Sequence, residues 1–516
     1  MKASDELFEL IRSLKKSEKG YFKKFTAIHI KGDKNNYTKL FEAIDKQKKY
    51  DEKKIKKALG EGYFSKHLPK EKNYLYNLIL KSLRSYYTNS SIDKQLKDLL
   101  INVEILFKKE LYKQCQRVLS KAKKIALRFE KQLALLEIIQ WEKELAHQEM
   151  DIEKTKNYLS KGFKEEYNVL QKTKNAIDYK RYVLEMDIVL RQEGSRISQP
   201  LNEKLKAIID NPLFKEQKRA LTLEANHLYY TAHVIYHFLK KDFKTSAAYS
   251  IKSIQLLESC PEQLRDKIPQ YFTALGNLLV NQLNSEKYSA LFQSIKKVRT
   301  IALDYSSNEV EPKITKELLI ASYNIELWAY VKTARFEQGL LIIPELIKEL
   351  ETLGNMIKKE SEIVLISQIS KTYFGAGNYR KALLWNNKLL NDKEKALRQD
   401  IYCLAKIFNL IIHFELRNEQ FVEYSAVSTY RFLSKHNRLY KFENTLLHFI
   451  RKRFSKTGSR KKLIIDFKEL KADLLAISKD PFEKEIIESF HFISWLESKI
   501  ENKPFAEIIR RKMKKQ

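Results

Sequence analysis

Apolar residues recur at steps of three and four along nearly the whole chain, the spacing of one buried face on an α-helix. Leu7, Leu10, Ile11 and Leu14 make the first such stripe. Ser17 is placed to cap a second helix over 18–29, with Tyr21, Phe22 and Phe25 on one face. A polar loop around Gly32 leads to a helix over 37–47 whose apolar face is Leu40, Phe41 and Ile44. A short basic helix over 52–59 stops at Gly60, and a longer one over 69–87 carries Leu75, Leu78, Ile79 and Leu83. Residues 1–93 are therefore expected to form a small, basic helical domain.

From residue 94 the pattern becomes monotonous. An apolar-periodic helix, a short polar turn, an aromatic and a second helix with a small residue three or four positions on form a recurring unit. The clearest copy has Ile366, Ile369 and Tyr373 on its first helix, Gly375-Ala376-Gly377-Asn378 as the turn, then Tyr379 and Ala382. Such a junction suits two closely packed antiparallel helices: glycine supplies the left-handed turn, the ring wedges between the helices, and alanine lets the backbones approach. Aromatics follow similar turns at Tyr112, Phe243, Tyr288, Phe336, Tyr379, Phe421 and Phe505. The intervals among the middle five are 45, 48, 43 and 42 residues. Weaker turns at 150–153, 199–201 and 458–460 fill the wider gaps. About ten stacked hairpins over 94–510 are expected, an α-solenoid whose units bury their faces only against neighbours. Residues 511–516 are expected to form an unpaired, frayed basic tail.

Ile366, Ile369, Tyr373, Gly377, Tyr379 and Ala382 stand at the spacing of the tetratricopeptide repeat, and across this junction the chain resembles that family. The resemblance implies a right-handed superhelix of hairpins that holds a protein or peptide on its concave surface. The unit here is about 43 residues whereas the tetratricopeptide unit is 34, so the expectation is a tetratricopeptide-like solenoid. The runs Lys16–Phe25, Lys72–Tyr76 and Leu80–Arg84 are also similar to the start of uncharacterised helical-repeat proteins of Bacteroidota, a likeness that implies no activity.

Composition narrows the picture in the same direction. The 516 residues include only 12 Gly and 9 Pro, roughly 2% each against usual shares of about 7% and 5%. Tight-turned sandwiches and glycine-looped nucleotide folds are thereby excluded. With 43% hydrophobic residues the chain can bury a core. The three cysteines, Cys115, Cys260 and Cys403, are too scattered for a disulfide framework. No secretory leader is read at the N-terminus, and the apolar run Leu340–Ile347 is too short for a bilayer. A cytoplasmic location and no membrane contact are expected.

The net charge is +32, from 97 Lys+Arg against 65 Asp+Glu. Such a field attracts polyanions, although Lys predominates over Arg, the better reader of phosphates and guanines. The densest cluster is Arg451, Lys452, Arg453, Lys456, Arg460, Lys461 and Lys462, with no acid among them. Basic groups suit the end of a helix but not the start of the next, so an anionic partner would account for the second half. The many Tyr and Phe beside Lys could stack nucleic-acid bases, but at helical spacing they are expected to be wedges between helices.

Catalytic signatures are scarce. Phosphate-loop, dinucleotide and zinc-protease motifs are absent, and Lys456-Thr457-Gly458 matches only a fragment of the penicillin-binding signature. His233 and His237 share a helix face as a zinc pair would, but the surrounding Tyr229, Tyr230, Tyr236 and Phe238 favour a packed aromatic helix. The sequence therefore leads to a non-enzymatic scaffold without cofactor or metal that holds a protein or peptide. The alternative is a nucleic-acid-binding regulator using residues 1–93 and the 451–462 turn.

Overall fold

Stripes of that period belong to amphipathic helices, and helices are what the chain forms. A computed structural model describes residues 3–29, 36–60, 67–87, 91–148, 152–193, 199–306, 312–353, 357–392, 397–453 and 460–514. Among these residues there is no strand. The fold is all-α. The chain divides into two compact units, Met1–Lys174 and Asn175–Gln516. The division falls inside one 31-residue helix, Phe163–Glu193.

In the first unit, helices Ala3–Ser13, Lys16–His29, Asn36–Asp45, Glu52–Leu59 and Leu68–Tyr86 enclose Leu7, Ile11, Phe22, Leu40, Phe41, Ile44, Leu75 and Ile79. Ser17 is not the cap expected of it. The second helix begins at Lys16, and the Glu18 carboxylate reaches back to accept from the Lys15 N–H at 2.5 Å. A carboxylate does this better than a hydroxyl, because it also meets the positive end of the helix dipole. Gly60 does end the Glu52–Leu59 helix, at φ 77°. A second core, with Leu96, Leu100, Val103, Cys115, Leu119, Ala122 and Ile138, lies among helices Ile92–Lys108, Tyr112–Arg128 and Gln132–Gln148.

In the second unit most helices pack on the next in sequence and often on the next but one. The junctions share one geometry. Glu110 (in the first unit), Lys241, Glu286, Ala334, Gly377 and Arg417 all take left-handed φ, between 52° and 76°. At each, the following N–H bonds to the carbonyl five residues back: Leu111 to Leu106 at 3.0 Å, Asp242 to His237 at 2.9 Å, Lys287 to Gln282 at 3.1 Å, Arg335 to Tyr330, Asn378 to Tyr373 and Asn418 to His413 at 2.9 Å. This is the Schellman closure, which satisfies carbonyls that a helix end would leave bare. The expected aromatics Tyr112, Phe243, Tyr288, Phe336, Tyr379 and Phe505 each open the next helix, and Phe421 lies in the first turn of Glu419–Lys435. Helices open at Ile152, Gln199 and Arg460, where the weaker turns were read; residues 149–151, 194–198 and 454–459 lie outside the described ones.

The signature residues sit as the hairpin requires. Ile366, Ile369 and Ala382 are buried, Tyr373 and Tyr379 half-buried. The Ser370 hydroxyl, on helix Lys359–Gly375, donates to the Ala382 carbonyl on helix Tyr379–Leu390 at 2.8 Å. Asn378 caps the second helix by accepting from the Lys381 N–H. Gly375 has a further role: a Cβ there would lie 2.2 Å from the buried Phe336 ring of the preceding junction.

The last helices, Pro481–Ser489, Phe492–Glu501 and Phe505–Met513, fold back on earlier junctions. Phe505 stacks on Phe336 at 6.0 Å and meets Phe374 edge-on. Phe490 packs on Phe374 and Phe408. The Trp495 indole N–H donates to Glu415 at 2.6 Å. The basic end is consequently not the unpaired, frayed tail expected. Arg510 donates twice to the Ala334 carbonyl and pairs with Glu337, Arg511 pairs with Glu501, and Lys512 with Glu497. Ile508 and Ile509, both buried, pull this helix down. Lys515 lies outside the described residues.

Two substitutions test the junction. Gly375→Ala drives a methyl into Phe336 and should cost about 1–3 kcal/mol, as overpacking does. Lys241→Gly removes a side chain from a left-handed position and should stabilise by about 1 kcal/mol. Urea unfolding of the full chain, followed by far-ultraviolet circular dichroism, reads both signs.

Candidate functional site

The basic cluster is divided by the fold. Arg451, Lys452 and Arg453 end helix Lys441–Arg453, and Arg460, Lys461 and Lys462 open helix Arg460–Ile477. The two helices pack together. Lys456 and the Lys456-Thr457-Gly458 fragment lie outside the described residues. Arg451, Lys461 and Lys462 are exposed. The Arg451 guanidinium stands 5.3 Å over the Tyr430 ring, so part of its charge is already met by a π face. Tyr430 also lines an open groove of about 490 Å³ with Leu439, Tyr440, Lys441, Asn444, Asp480 and Glu483. Glu483 fills the adjoining helix start, its two oxygens accepting from the Lys441 and Phe442 N–H groups. That helix start is closed to an outside anion.

The histidine helix Leu223–Leu239 is packed with aromatic rings, as its sequence indicates. His233 stacks on Tyr249 at 4.4 Å and meets Tyr229 at 4.6 Å. His227 Nδ1 bonds the Ser253 hydroxyl at 2.8 Å, and His237 Nδ1 faces Asp242 at 3.3 Å. Burial pushes His227 and His233 down to about 4. Among the described residues, no three or more His, Cys, Asp or Glu group as metal ligands.

Two features escaped sequence reasoning. The first is a ladder of exposed apolar side chains. Leu341, Leu384 and Tyr424 are 79%, 67% and 79% exposed. They sit on the second helices Phe336–Leu353, Tyr379–Leu390 and Glu419–Lys435. Each lies seven residues after its left-handed residue, Ala334, Gly377 and Arg417. Three successive junctions thus present an apolar group at the same register. An apolar residue on a helix's outer face breaks the amphipathic pattern, but which face is outer is set by packing.

The second is Lys371, whose side chain is buried with one bond, to the Ser489 carbonyl at 3.2 Å. Burial without a countercharge pushes its amine down to about 8. His491 lies in the same region, in a left-handed conformation at φ 56°, held down to about 4 by burial and by the charges of Lys332, Lys512 and Lys371. No local pattern marks Lys371 as buried, since its neighbours in space lie 118 residues further on.

A scan against protein-family models finds no match, and a search of curated proteins finds none.

Lys371 gives the protein a pH signature. Its folded pKa lies below the unfolded value, so the charged amine burdens the folded state at neutral pH, and the burden lifts as pH rises from 8 toward 10.5. A shift of that size corresponds to about 3 kcal/mol at most. Lys371→Met should therefore stabilise the protein at pH 7 by about 1–2 kcal/mol after loss of the bond to Ser489, and raise the thermal midpoint. It should also flatten the climb in stability of the parent between pH 7.5 and 9.5. Calorimetry of both proteins across that range measures the two effects.

Proposed function

We propose that the chain is a non-enzymatic scaffold, a tetratricopeptide-like α-solenoid of about ten hairpins that holds a protein or peptide partner. The observation that carries this reading is the ladder of Leu341, Leu384 and Tyr424. Large apolar groups standing alone on a surface need no explanation, but a series at one register of consecutive hairpins repeats along the direction in which the hairpins follow one another. A partner with apolar side chains at a matching repeat would cover the series, and an amphipathic helix or extended peptide has that property.

The turn chemistry supports the same reading. Polar groups near the junctions are engaged in closing helices, as with Asp242, Asn378 and Arg510. Cytoplasmic work and the absence of a cofactor belong to this proposal. No helix among the described residues is long and apolar enough to cross a membrane.

Peptide-library selection against the full chain is the direct test. Selected peptides should carry spaced apolar residues. The triple variant Leu341→Ser, Leu384→Ser, Tyr424→Ser should bind them at least tenfold more weakly, since about 1 kcal/mol or more is expected from each buried anchor. Its thermal midpoint should stay near that of the parent, because the three positions are exposed. Equal binding by parent and variant would remove the ladder from the binding surface.

A further inference from the structure

Helix Tyr112–Arg128 carries six basic residues and no acidic one. Its inward face is fixed by Cys115, Leu119, Ala122 and Ala126, all buried. At 100° per residue, Lys113, Arg117, Ser120, Lys121 and Lys124 fall on the opposite side, and all five are exposed. Arg117, Ser120, Lys121 and Lys124 line an open groove of about 580 Å³.

Several acids of this unit are engaged elsewhere. Glu142 and Glu165 both hold Lys123 at 2.9 Å, Glu166 holds Lys143, and Asp93 holds Lys131. Lys113, Arg117, Lys121 and Lys124 have no ion pair or hydrogen bond with any described residue. The spacings 113/117 and 117/121 are i,i+4 and 121/124 is i,i+3, so each pair sets like charges side by side, which destabilises a helix. The fold thus holds a ridge of cations at a cost that an external anion would remove.

We propose that this ridge is a docking surface for the phosphate backbone of a nucleic acid, separate from the apolar ladder and independent of it. Successive cations rise about 6 Å along the helix axis at each i,i+4 step, giving a row of point charges for a regularly charged polymer. The groove's lining holds no aromatic ring and a single aliphatic side chain, Ile125, whereas a protein interface is centred on a cluster of aromatic and apolar anchors. It likewise has no ring on which a base could stack, so contacts are to phosphate and binding is independent of base sequence. Charges alone suffice for that mode.

The test is a fluorescence-anisotropy titration of the full chain with a labelled 20-base-pair DNA duplex and a single strand of equal length, at several salt concentrations. The ridge variant is Lys113→Gln, Arg117→Gln, Lys121→Gln, Lys124→Gln. A control with equal charge loss in the other unit is Lys206→Gln, Lys244→Gln, Lys296→Gln, Lys348→Gln. For four phosphate contacts, the log affinity against log salt slope of the ridge variant should be shallower than the parent's by about 3–4 for the duplex. The control should keep the parent's slope to within about one. Helix content and thermal midpoint of the ridge variant should match or exceed the parent's. Any of three results overturns the proposal: no DNA binding by the parent at 50 mM salt, the same slope change in ridge variant and control, or polyglutamate bound by the ridge as tightly as DNA. The last would make the partner an acidic polypeptide.

Discussion

A helix that stops must find donors for its last carbonyls and then turn the chain within two or three residues. In this protein a single solution recurs: one residue in the left-handed region, with the next N–H folded back onto the helix. Glycine holds that position at Gly377, but Glu110, Lys241, Glu286, Ala334 and Arg417 hold it elsewhere. An L-residue there costs about 1–2 kcal/mol, and the chain accepts the cost repeatedly because the closure satisfies carbonyls and aims the following aromatic between two helices. Helix packing in the second unit depends on that aim. Phe336 shows how far: it opens one helix, presses on Gly375 of the next junction and stacks on Phe505 near the chain's end.

The return of the final helices ties together helices far apart in sequence. Neighbour-on-neighbour packing alone lets each hairpin loosen with little consequence for distant ones. Arg510 on the Ala334 carbonyl, Trp495 and Lys499 on Glu415, and Lys371 on the Ser489 carbonyl bridge 80 to 176 residues of sequence. These contacts also bury groups that water would otherwise hold. Lys371 and His491 are both pushed toward their neutral forms by that burial, so the closing layer carries an electrostatic burden that the apolar contacts of Phe490, Phe492 and Ile509 offset.

Charge is organised differently from composition. The Lys excess is spread along the chain, yet many lysines are consumed by neighbouring acids, as Lys123 is by Glu142 and Glu165, or Lys359 by Glu362 and Asp392. The dense 451–462 run is prominent in sequence, but its described members are split between two helix ends and Arg451 stands over Tyr430. The ridge on Tyr112–Arg128 is inconspicuous in sequence because Cys115, Leu119, Ala122 and Ala126 are interleaved with its cations. Winding the helix sorts the two sets onto different faces.

The amino-acid sequence by itself determined the helical class, the positions of the stronger junctions and wedges such as Phe336, though not Phe421, which is exposed. Each of these is local: a three-to-four residue period, a polar turn and a ring just after it are read within some twenty residues. The buried aromatic helix around His233 was legible for the same reason. What only the tertiary structure decided involves partners distant in sequence. The basic end reads as a frayed tail until Ile508 and Ile509 find their place and Arg510 finds the Ala334 carbonyl. The Ser17 cap yields to Glu18 because a carboxylate one residue further on makes the stronger bond. Lys371 looks like any surface lysine until Ser489 covers it, and the solvent-facing register of Leu341, Leu384 and Tyr424 emerges only when three junctions adopt one geometry. Periodicity fixes which face of a helix is apolar; burial, charge pairing and exposure depend on which other helix arrives to cover it.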